Sequence, residues 1–307
     1  MKALITEKIH DVGLQMLSEH MDLAYAYDLT MEEFVPACIR ENPDAIVIRG
    51  IPYRITREII DGCPNLKAIA VNAIGVDNID TAYCKEKGIP VFNVPGGSSE
   101  AVAELSFGLI LNLARNISAA DYNVRHQGIY NKHLHVGVML KDKTLGIVAL
   151  GRIGSYVAKY AQAFEMRVLG YDPYVTPEQA AGRGIEYATL ERLFSESDFV
   201  FVPAPLTKDN YHMVDKHLID LMKPTAMLID TGRGGVVDEN ALYDALKEKR
   251  IRAASMDVFE REPPLGHPLL SLDNVVCTPH IGGSAEEAQA FIARSCCGQL
   301  LKYLKLA

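Results

Sequence analysis

Short, unbroken apolar runs recur along this sequence, each followed by a stretch long enough to form a helix. In the first third these runs are Ala3-Leu4-Ile5, Ala45-Ile46-Val47-Ile48, Ala68-Ile69-Ala70-Val71 and Val91-Phe92. A strand with one wet face alternates apolar and polar residues, whereas a strand apolar at every position must be covered on both faces. Helical segments over 10–20, 31–41 and 80–87 lie between the runs and supply that cover. The pattern therefore predicts an α/β unit built on a parallel sheet.

A second block begins after Pro95-Gly96-Gly97-Ser98-Ser99. Residues 100–120 are rich in Ala, Leu and Ile and read as one long, largely buried helix. Strands recur at Leu145–Leu150, Arg167–Tyr171, Phe199–Val202, Met227–Ile229, Ala253–Val258 and Val275–Cys277. Six strands with intervening helices are what a doubly wound dinucleotide-binding fold requires. The last stretch, 285–307, is helical in pattern. Periodicity leaves open whether it closes the second block or crosses back to the first.

Composition sets bounds on function. The chain has 307 residues, 49% of them hydrophobic, which is enough to fill more than one core. A formal net charge of −8, with no long block of like charge, argues against a nucleic-acid partner. No apolar run reaches the length of a membrane span, and the N-terminus has no signal-peptide core. The cysteines at 38, 63, 84, 277, 296 and 297 form no C-x-x-C pair, so reduced thiols in a cytoplasmic protein are expected.

The segment from Thr144 to Gly154 runs as a strand into a helix, with glycines at the junction. Gly151, Arg152, Ile153 and Gly154 open that helix, where bare backbone N–H groups can approach a pyrophosphate. Beyond the next strand, Val168-Leu169-Gly170-Tyr171, stands Asp172. A carboxylate there accepts hydrogen bonds from both ribose hydroxyls and repels a 2′-phosphate, so the expected cofactor is NAD rather than NADP. One position departs from the G-x-G-x-x-G fingerprint: Ala149 takes the place of the first glycine. Its methyl costs affinity if the backbone there needs positive φ.

Three residues follow late strands, at the sheet edge where ligands of open α/β folds gather. Arg233 lies in Asp-Thr-Gly-Arg-Gly-Gly, Glu262 in Glu-Arg-Glu-Pro-Pro, and His280 in Thr-Pro-His-Ile-Gly-Gly. Taken singly, each has an ordinary structural explanation. Together, in this order and downstream of a nucleotide turn, they form a catalytic set.

At these residues the sequence resembles the D-isomer-specific 2-hydroxyacid dehydrogenases. The resemblance extends over nearly the whole chain, through Ile74-Gly75-Val76-Asp77-Asn78-Ile79-Asp80, Ala101-Val-Ala-Glu104, Pro205-Leu-Thr207, the segment from Thr231 to Glu239, Asp257-Val-Phe-Glu260 and Thr278-Pro-His280. It implies a Rossmann-type NAD-binding domain over 97–284 and a flavodoxin-like substrate domain over 1–96, completed by 285–307. It also implies that Arg233 binds the substrate carboxylate and polarises the keto oxygen, that His280 is the general acid or base, and that Glu262 orients His280 and favours its protonated form. Thr207, Thr231 and Asp257 join the turn residues and Asp172 around the cofactor, with Asp257 on the nicotinamide carboxamide. Asn72, Ala73, Ile74 and Gly75 grip the substrate carboxylate. Two departures stand out: Ala73 replaces a substrate-loop glycine, and Pro203 replaces a histidine frequent before Pro-Leu-Thr.

The string from His280 to Gln289 is most similar to phosphoglycerate dehydrogenases and hydroxypyruvate reductases. A phosphorylated substrate needs cations, and Arg49, Arg54, Lys132 and His133 are the candidates. With the chain ending at 307, feedback control through a regulatory C-terminal domain is not expected. Competing readings are a reductase of another 2-keto acid, of D-lactate type, and a non-enzymatic NAD-sensing member of the family. The apolar helix at 100–120 and the arm at 121–143 exceed what one subunit covers, so a homodimer through the NAD-binding domains is expected.

Overall fold

The structure, a computed structural model, describes residues 1–50 and 53–307. It divides into two compact units, Met1–Ser98 with Gly283–Ala307, and Ser99–Gly282.

Among the described residues, the first unit contains strands β1 (Lys2–Ile5), β2 (Asp22–Tyr25), β3 (Ala45–Ile48), β4 (Ala68–Val71) and β5 (Val91–Phe92). Helices α1 (Asp11–Ser18), α2 (Met31–Glu41), α3 (Arg57–Gly62) and α4 (Thr81–Glu86) connect them. The sheet is parallel throughout, in the order β2-β1-β3-β4-β5, which is the flavodoxin-like order. Every residue of β3 and β4 is buried, as their unbroken apolar runs require. Helix starts carry their own signals: Thr30 and Glu33 form a reciprocal capping box on α2, and Asp80 caps α4 through the Tyr83 N–H.

The second unit begins with α5 (Ser99–Arg115) and α6 (Ile117–Tyr122). After an arm come β6 (Thr144–Val148), α7 (Arg152–Ala163), β7 (Arg167–Tyr171), α8 (Pro177–Ala181), β8 (Glu186–Tyr187), α9 (Leu190–Glu196) and β9 (Phe199–Val202). Then follow α10 (Lys216–Leu221), β10 (Met227–Asp230), α11 (Glu239–Lys247), β11 (Ala253–Met256) and β12 (Val275–Cys277). The strand order β12-β11-β10-β9-β6-β7-β8 changes direction next to β6, a topological switch point of a Rossmann-type sheet. In β9, Phe199 and Phe201 pack in one core beneath α5, while Val200 and Val202 pack in the other beneath α11. That split is the physical reason for apolar residues at every position of the strand.

In the first unit, α12 (Glu286–Tyr303) packs on α1 and β4. The approach to α1 is close: a Cβ on Gly13 would meet the Ala293 Cβ at 3.0 Å and the Cys297 Sγ at 3.1 Å. Cys296 and Cys297 are buried there as packing residues.

Two expectations need correction. The helix expected over 100–120 breaks at Asn116, which is left-handed at φ 55°, and α6 beyond it has no buried residue. Asn112 explains the break, because its Oδ1 accepts the Ser118 N–H and its Nδ2 donates to the Ser118 hydroxyl, groups that a continuous helix would point elsewhere. The second sheet has seven strands rather than six. The additional β8 is two residues long and half polar, so it gives no apolar run to detect.

Candidate active site

The C-terminal ends of β10, β11 and β12 place the three charged residues of the second unit. The His280 Nδ1 lies 2.8 Å from the Glu262 Oε2, and the Phe259 N–H donates to the Glu262 Oε1 at 3.1 Å. Burial raises the pKa of the Glu262 carboxyl. The hydrogen bond and charge of His280, the Phe259 N–H and the charge of Arg233 together outweigh burial and hold it below the usual carboxylate range. His280 has φ 52°, and its own N–H is tied to the carbonyls of Asp257 and Thr278, at 2.9 and 3.0 Å.

Arg233 follows β10 in a tight loop and donates from Nη1 to the Gly232 carbonyl at 2.9 Å. The loop is pressed against the Glu262 loop: a Cβ on Gly234 would sit 2.0 Å from the Phe259 carbonyl carbon and oxygen. Below them, Asp230 is fully buried. Its Oδ1 accepts the Gly232 N–H at 2.9 Å, and its Oδ2 has no partner among the described residues. Burial, with the charges of Glu239 and Asp257 adding to it, pushes its pKa up to about 8.

Asp257 is buried at the end of β11. Its Oδ1 accepts from the Thr278 hydroxyl at 2.6 Å and the Ile281 N–H at 2.8 Å, and its Oδ2 accepts from the Gly282 N–H at 2.9 Å. It thereby anchors the backbone on either side of His280. Thr231 is buried with its hydroxyl 2.7 Å from that of Ser106 on α5. Ser106 donates its one proton to the Val102 carbonyl, so the bond between the hydroxyls runs from Thr231. Thr207 is exposed, with its N–H and hydroxyl on the Asn210 Oδ1 at 2.6 and 3.0 Å.

The nucleotide turn lies between β6 and α7. Gly151 is the N-cap of α7 and offers no side-chain cap, leaving the first N–H groups of a 12-residue helix facing outward. A Cβ on Gly151 would meet no protein atom within 4 Å, so packing within this chain does not require glycine there. Gly154 is different, since its Cβ would fall 2.3 Å from the Ala149 carbonyl oxygen. Ala149 has φ 92°, so the alanine in the fingerprint does sit at a positive-φ position. Asp172, 8% exposed, is held on both oxygens, by the Leu150 N–H at 2.8 Å and the Tyr174 N–H at 2.9 Å.

In the first unit, residues 72–75 follow β4. The Ala73 carbonyl accepts from the Val94 N–H at 3.1 Å and the Ile74 carbonyl from the Asn93 side chain at 2.6 Å. With the carbonyls tied down, the N–H groups of Ala73, Ile74 and Gly75 make no hydrogen bond among the described residues. The buried Asn72 Oδ1 is likewise without a partner among them. Arg49, after β3, reaches the Ser284 hydroxyl at 3.3 Å, and Arg54 is exposed. Lys132 and His133 lie in an exposed turn of the second unit's arm.

Comparison with known proteins decides the family. Residues 107–282 match the model of the D-isomer specific 2-hydroxyacid dehydrogenase NAD binding domain. The protein belongs to this family. It is 40% identical over 317 residues to the glyoxylate reductase of Thermococcus litoralis, covering 99% of this chain and 94% of that one. It is 42% identical over 305 residues to the D-3-phosphoglycerate dehydrogenase of Methanocaldococcus jannaschii, where 99% of this chain corresponds to 57% of the relative. The chain thus spans little more than half the length of that protein. Its fold matches the D-lactate dehydrogenase of Aquifex aeolicus, solved with NAD and lactic acid, at a TM-score of 0.83 and 30% identity, covering 99% of this chain and 95% of the other.

The cofactor of this dehydrogenase family is NAD, and the residues present fit it. The uncapped N-terminus of α7, the open face at Gly151 and the carboxylate at the end of β7 form a cradle for a dinucleotide. Several supporting residues escape a reading of the sequence alone: Ser106 beneath Thr231, Arg183 on the Leu150 carbonyl at 2.8 Å, and the buried Glu239. Two signals were detectable among them: a polar Ser106 within the apolar helix, and Glu239 at the end of the family-like segment that begins at Thr231.

Proposed function

We propose that this dehydrogenase reduces a small 2-keto acid to the 2-hydroxy acid, and runs the reverse oxidation, in the manner of phosphoglycerate dehydrogenases or hydroxypyruvate and glyoxylate reductases. The observation that carries the reading is the 2.8 Å contact between the His280 Nδ1 and Glu262. It fixes the ring so that Nε2 is the position from which a proton is delivered. A Glu262 carboxyl held below its ordinary pKa stays charged and favours the imidazolium.

NADH, when bound, supplies the hydride that arrives at C2 of the acid. His280 gives the Nε2 proton to the developing alkoxide in reduction and takes it back in oxidation. The Arg233 guanidinium pairs with the substrate carboxylate and polarises the keto oxygen. In the first unit, Asn72 and the N–H groups of Ala73, Ile74 and Gly75 offer donors to a carboxylate, as successive backbone N–H groups do for anions elsewhere. Asp172 receives the adenosine ribose hydroxyls and discriminates against a 2′-phosphate. Gly151, Arg152, Ile153 and Gly154 meet the pyrophosphate, with Thr207 and Thr231 nearby. Asp257 retains one acceptor position on Oδ2 for the carboxamide. Arg49, with Arg54, would favour a phosphorylated acid.

NADH oxidation measured against glyoxylate, hydroxypyruvate, phosphohydroxypyruvate and pyruvate, with NADPH in parallel, tests the reading. His280→Ala and Arg233→Ala should each lower kcat by roughly 10²- to 10⁴-fold while NADH still binds. Near-normal turnover in both variants would remove these residues from the mechanism, and turnover with NADPH alone would overturn the role of Asp172.

The arm of the second unit supports a homodimer. It exposes Tyr130 at 94%, Val136 at 72% and Met139 at 71%, a cost in water that a second copy of the same surface would relieve. A monomeric mass by light scattering at micromolar concentration would reject it.

A further inference from the structure

A second carboxylate–imidazole pair lies in the second unit, beside the Glu262 loop. We propose that Glu239, oriented by His267, is a positioning residue for the acid–base pair: it clamps the Glu260 backbone N–H and so fixes the loop that presents Glu262 to His280. The inference rests on the reading of His280 as the proton donor.

Glu239 is the first residue of α11 and is 4% exposed. Its Oε1 accepts the Glu260 N–H at 2.6 Å, and its Oε2 lies 3.0 Å from the His267 Nε2. The direction of the second contact follows from the other side of the ring. The Leu269 N–H donates to the His267 Nδ1 at 3.3 Å, so Nδ1 carries no proton and Nε2–H donates to Glu239. Both carboxylate oxygens therefore accept, from partners that can only donate. Glutamine cannot replace it, because its amide N–H would face either the Glu260 N–H or the His267 Nε2–H.

The clamped segment leads straight to the proposed acid–base pair. Glu260 stands between Phe259, whose N–H holds the Glu262 Oε1, and the turn that ends in Glu262 itself. The Glu260 side chain is held separately, by the Tyr211 hydroxyl at 3.2 Å and the His212 Nε2 at 2.5 Å. The backbone is thus fixed from beneath and the side chain from outside. Burial raises the pKa of the Glu239 carboxyl, and the charge of Glu260 adds to it, while the Glu260 N–H and the neighbouring His267 and His212 imidazoles offset part of the rise; the buried Asp230 also feels its charge. Burying a carboxylate is costly, and apolar residues of similar volume usually serve stability as well or better. A group retained at that cost with two fixed donors is explained by the geometry it imposes.

The test is the pH profile of keto-acid reduction, read beside the NMR titration of the His280 imidazole. Reduction consumes a proton from the His280 imidazolium, so the rate has a basic limb where that proton is lost. The Glu262 carboxylate stabilises the cation, so losing its interaction moves the limb to lower pH. Glu262→Gln sets the full shift. Glu239→Gln should move the limb in the same direction by part of that amount. It should also lower kcat about 10- to 100-fold and leave the KM for NADH unchanged. A folded Glu239→Gln protein that loses thermal stability but keeps the wild-type limb and titration would overturn the proposal. If that variant does not fold, His267→Asn keeps the carboxylate and removes its donor. A smaller shift in the same direction would support the clamp, and an unmoved titration would overturn it. Should the wild type reduce no keto acid, the proposed activity fails, while the His280 titration still decides whether Glu239 controls the pair.

Discussion

His280 at φ 52° and Ala149 at φ 92° each hold a backbone conformation that side-chain-bearing residues rarely adopt. At His280 the surroundings impose it, through the two carbonyls that accept its N–H and through Asp257 holding the next two amides. At Ala149 the methyl only packs against the edge of the core, so Ala149→Gly should relieve about 1–3 kcal/mol of strain. Glycine's extra unfolded-state entropy offsets roughly 0.5–1 kcal/mol of that. A net rise of about 2–4 °C in Tm is expected, with NADH bound no more weakly. A lower Tm would show that the turn accommodates alanine without strain. Asp230 makes a second prediction, with a sign set by its raised pKa. Between the ordinary aspartate value and about 8, the unfolded chain has lost a proton that the folded chain keeps. This group's contribution is therefore full at low pH and lost as pH rises through that window. Asp230→Asn keeps an acceptor for the Gly232 N–H and removes the titration. Its Tm advantage should be small near about pH 4 and grow by several degrees by about pH 8. An advantage that does not change with pH would contradict a protonated, buried Asp230.

At the scale of elements, three neighbouring strands end in loops that carry Arg233, Glu262 and His280, and backbone contact locks two of those loops together. Gly234 marks the contact. Gly234→Ala would drive a methyl into the Phe259 carbonyl, which cannot move away as a side chain could. We expect a loss of about 1–3 kcal/mol in stability and a fall in kcat at least as large as that from Glu262→Gln. Unchanged melting and turnover would show that the loops are not coupled there. The strands themselves were legible wherever their apolar runs were continuous, as in β3, β4, β6 and β9. Of the four edge strands among the described residues, β5 and β12 were legible and two were not: β2 is exposed at both ends and β8 is short and half polar, so neither needs an apolar run. The long helix was misjudged at Asn116 because the reason for its end lies in a side-chain bond from Asn112, which periodicity does not report.

At the scale of the whole molecule, residue types and their order carried the family and the cofactor, because phosphate approach and ribose recognition demand particular residues at particular strand ends. The supporting geometry was hidden because its pairings are distant in sequence. Glu239 meets Glu260 and His267, and Thr231 meets Ser106, and nothing in local pattern links those positions. The same division tells where a ligand should register. The nucleotide turn belongs to the unit Ser99–Gly282, so NADH should act there first. At a concentration of about 100 times Kd, it adds about 2.7 kcal/mol to the state that binds it. Hydrogen exchange should slow at residues 150–154, in the first turn of α7, around Asp172 and Tyr174, and in the buried strands β6, β9 and β10. The sheet of the first unit should slow less. Protection greater in β1, β3 and β4 than in the second sheet would mean that the cofactor's main hold lies outside the turn, and the roles given to Gly151 and Asp172 would fall with it.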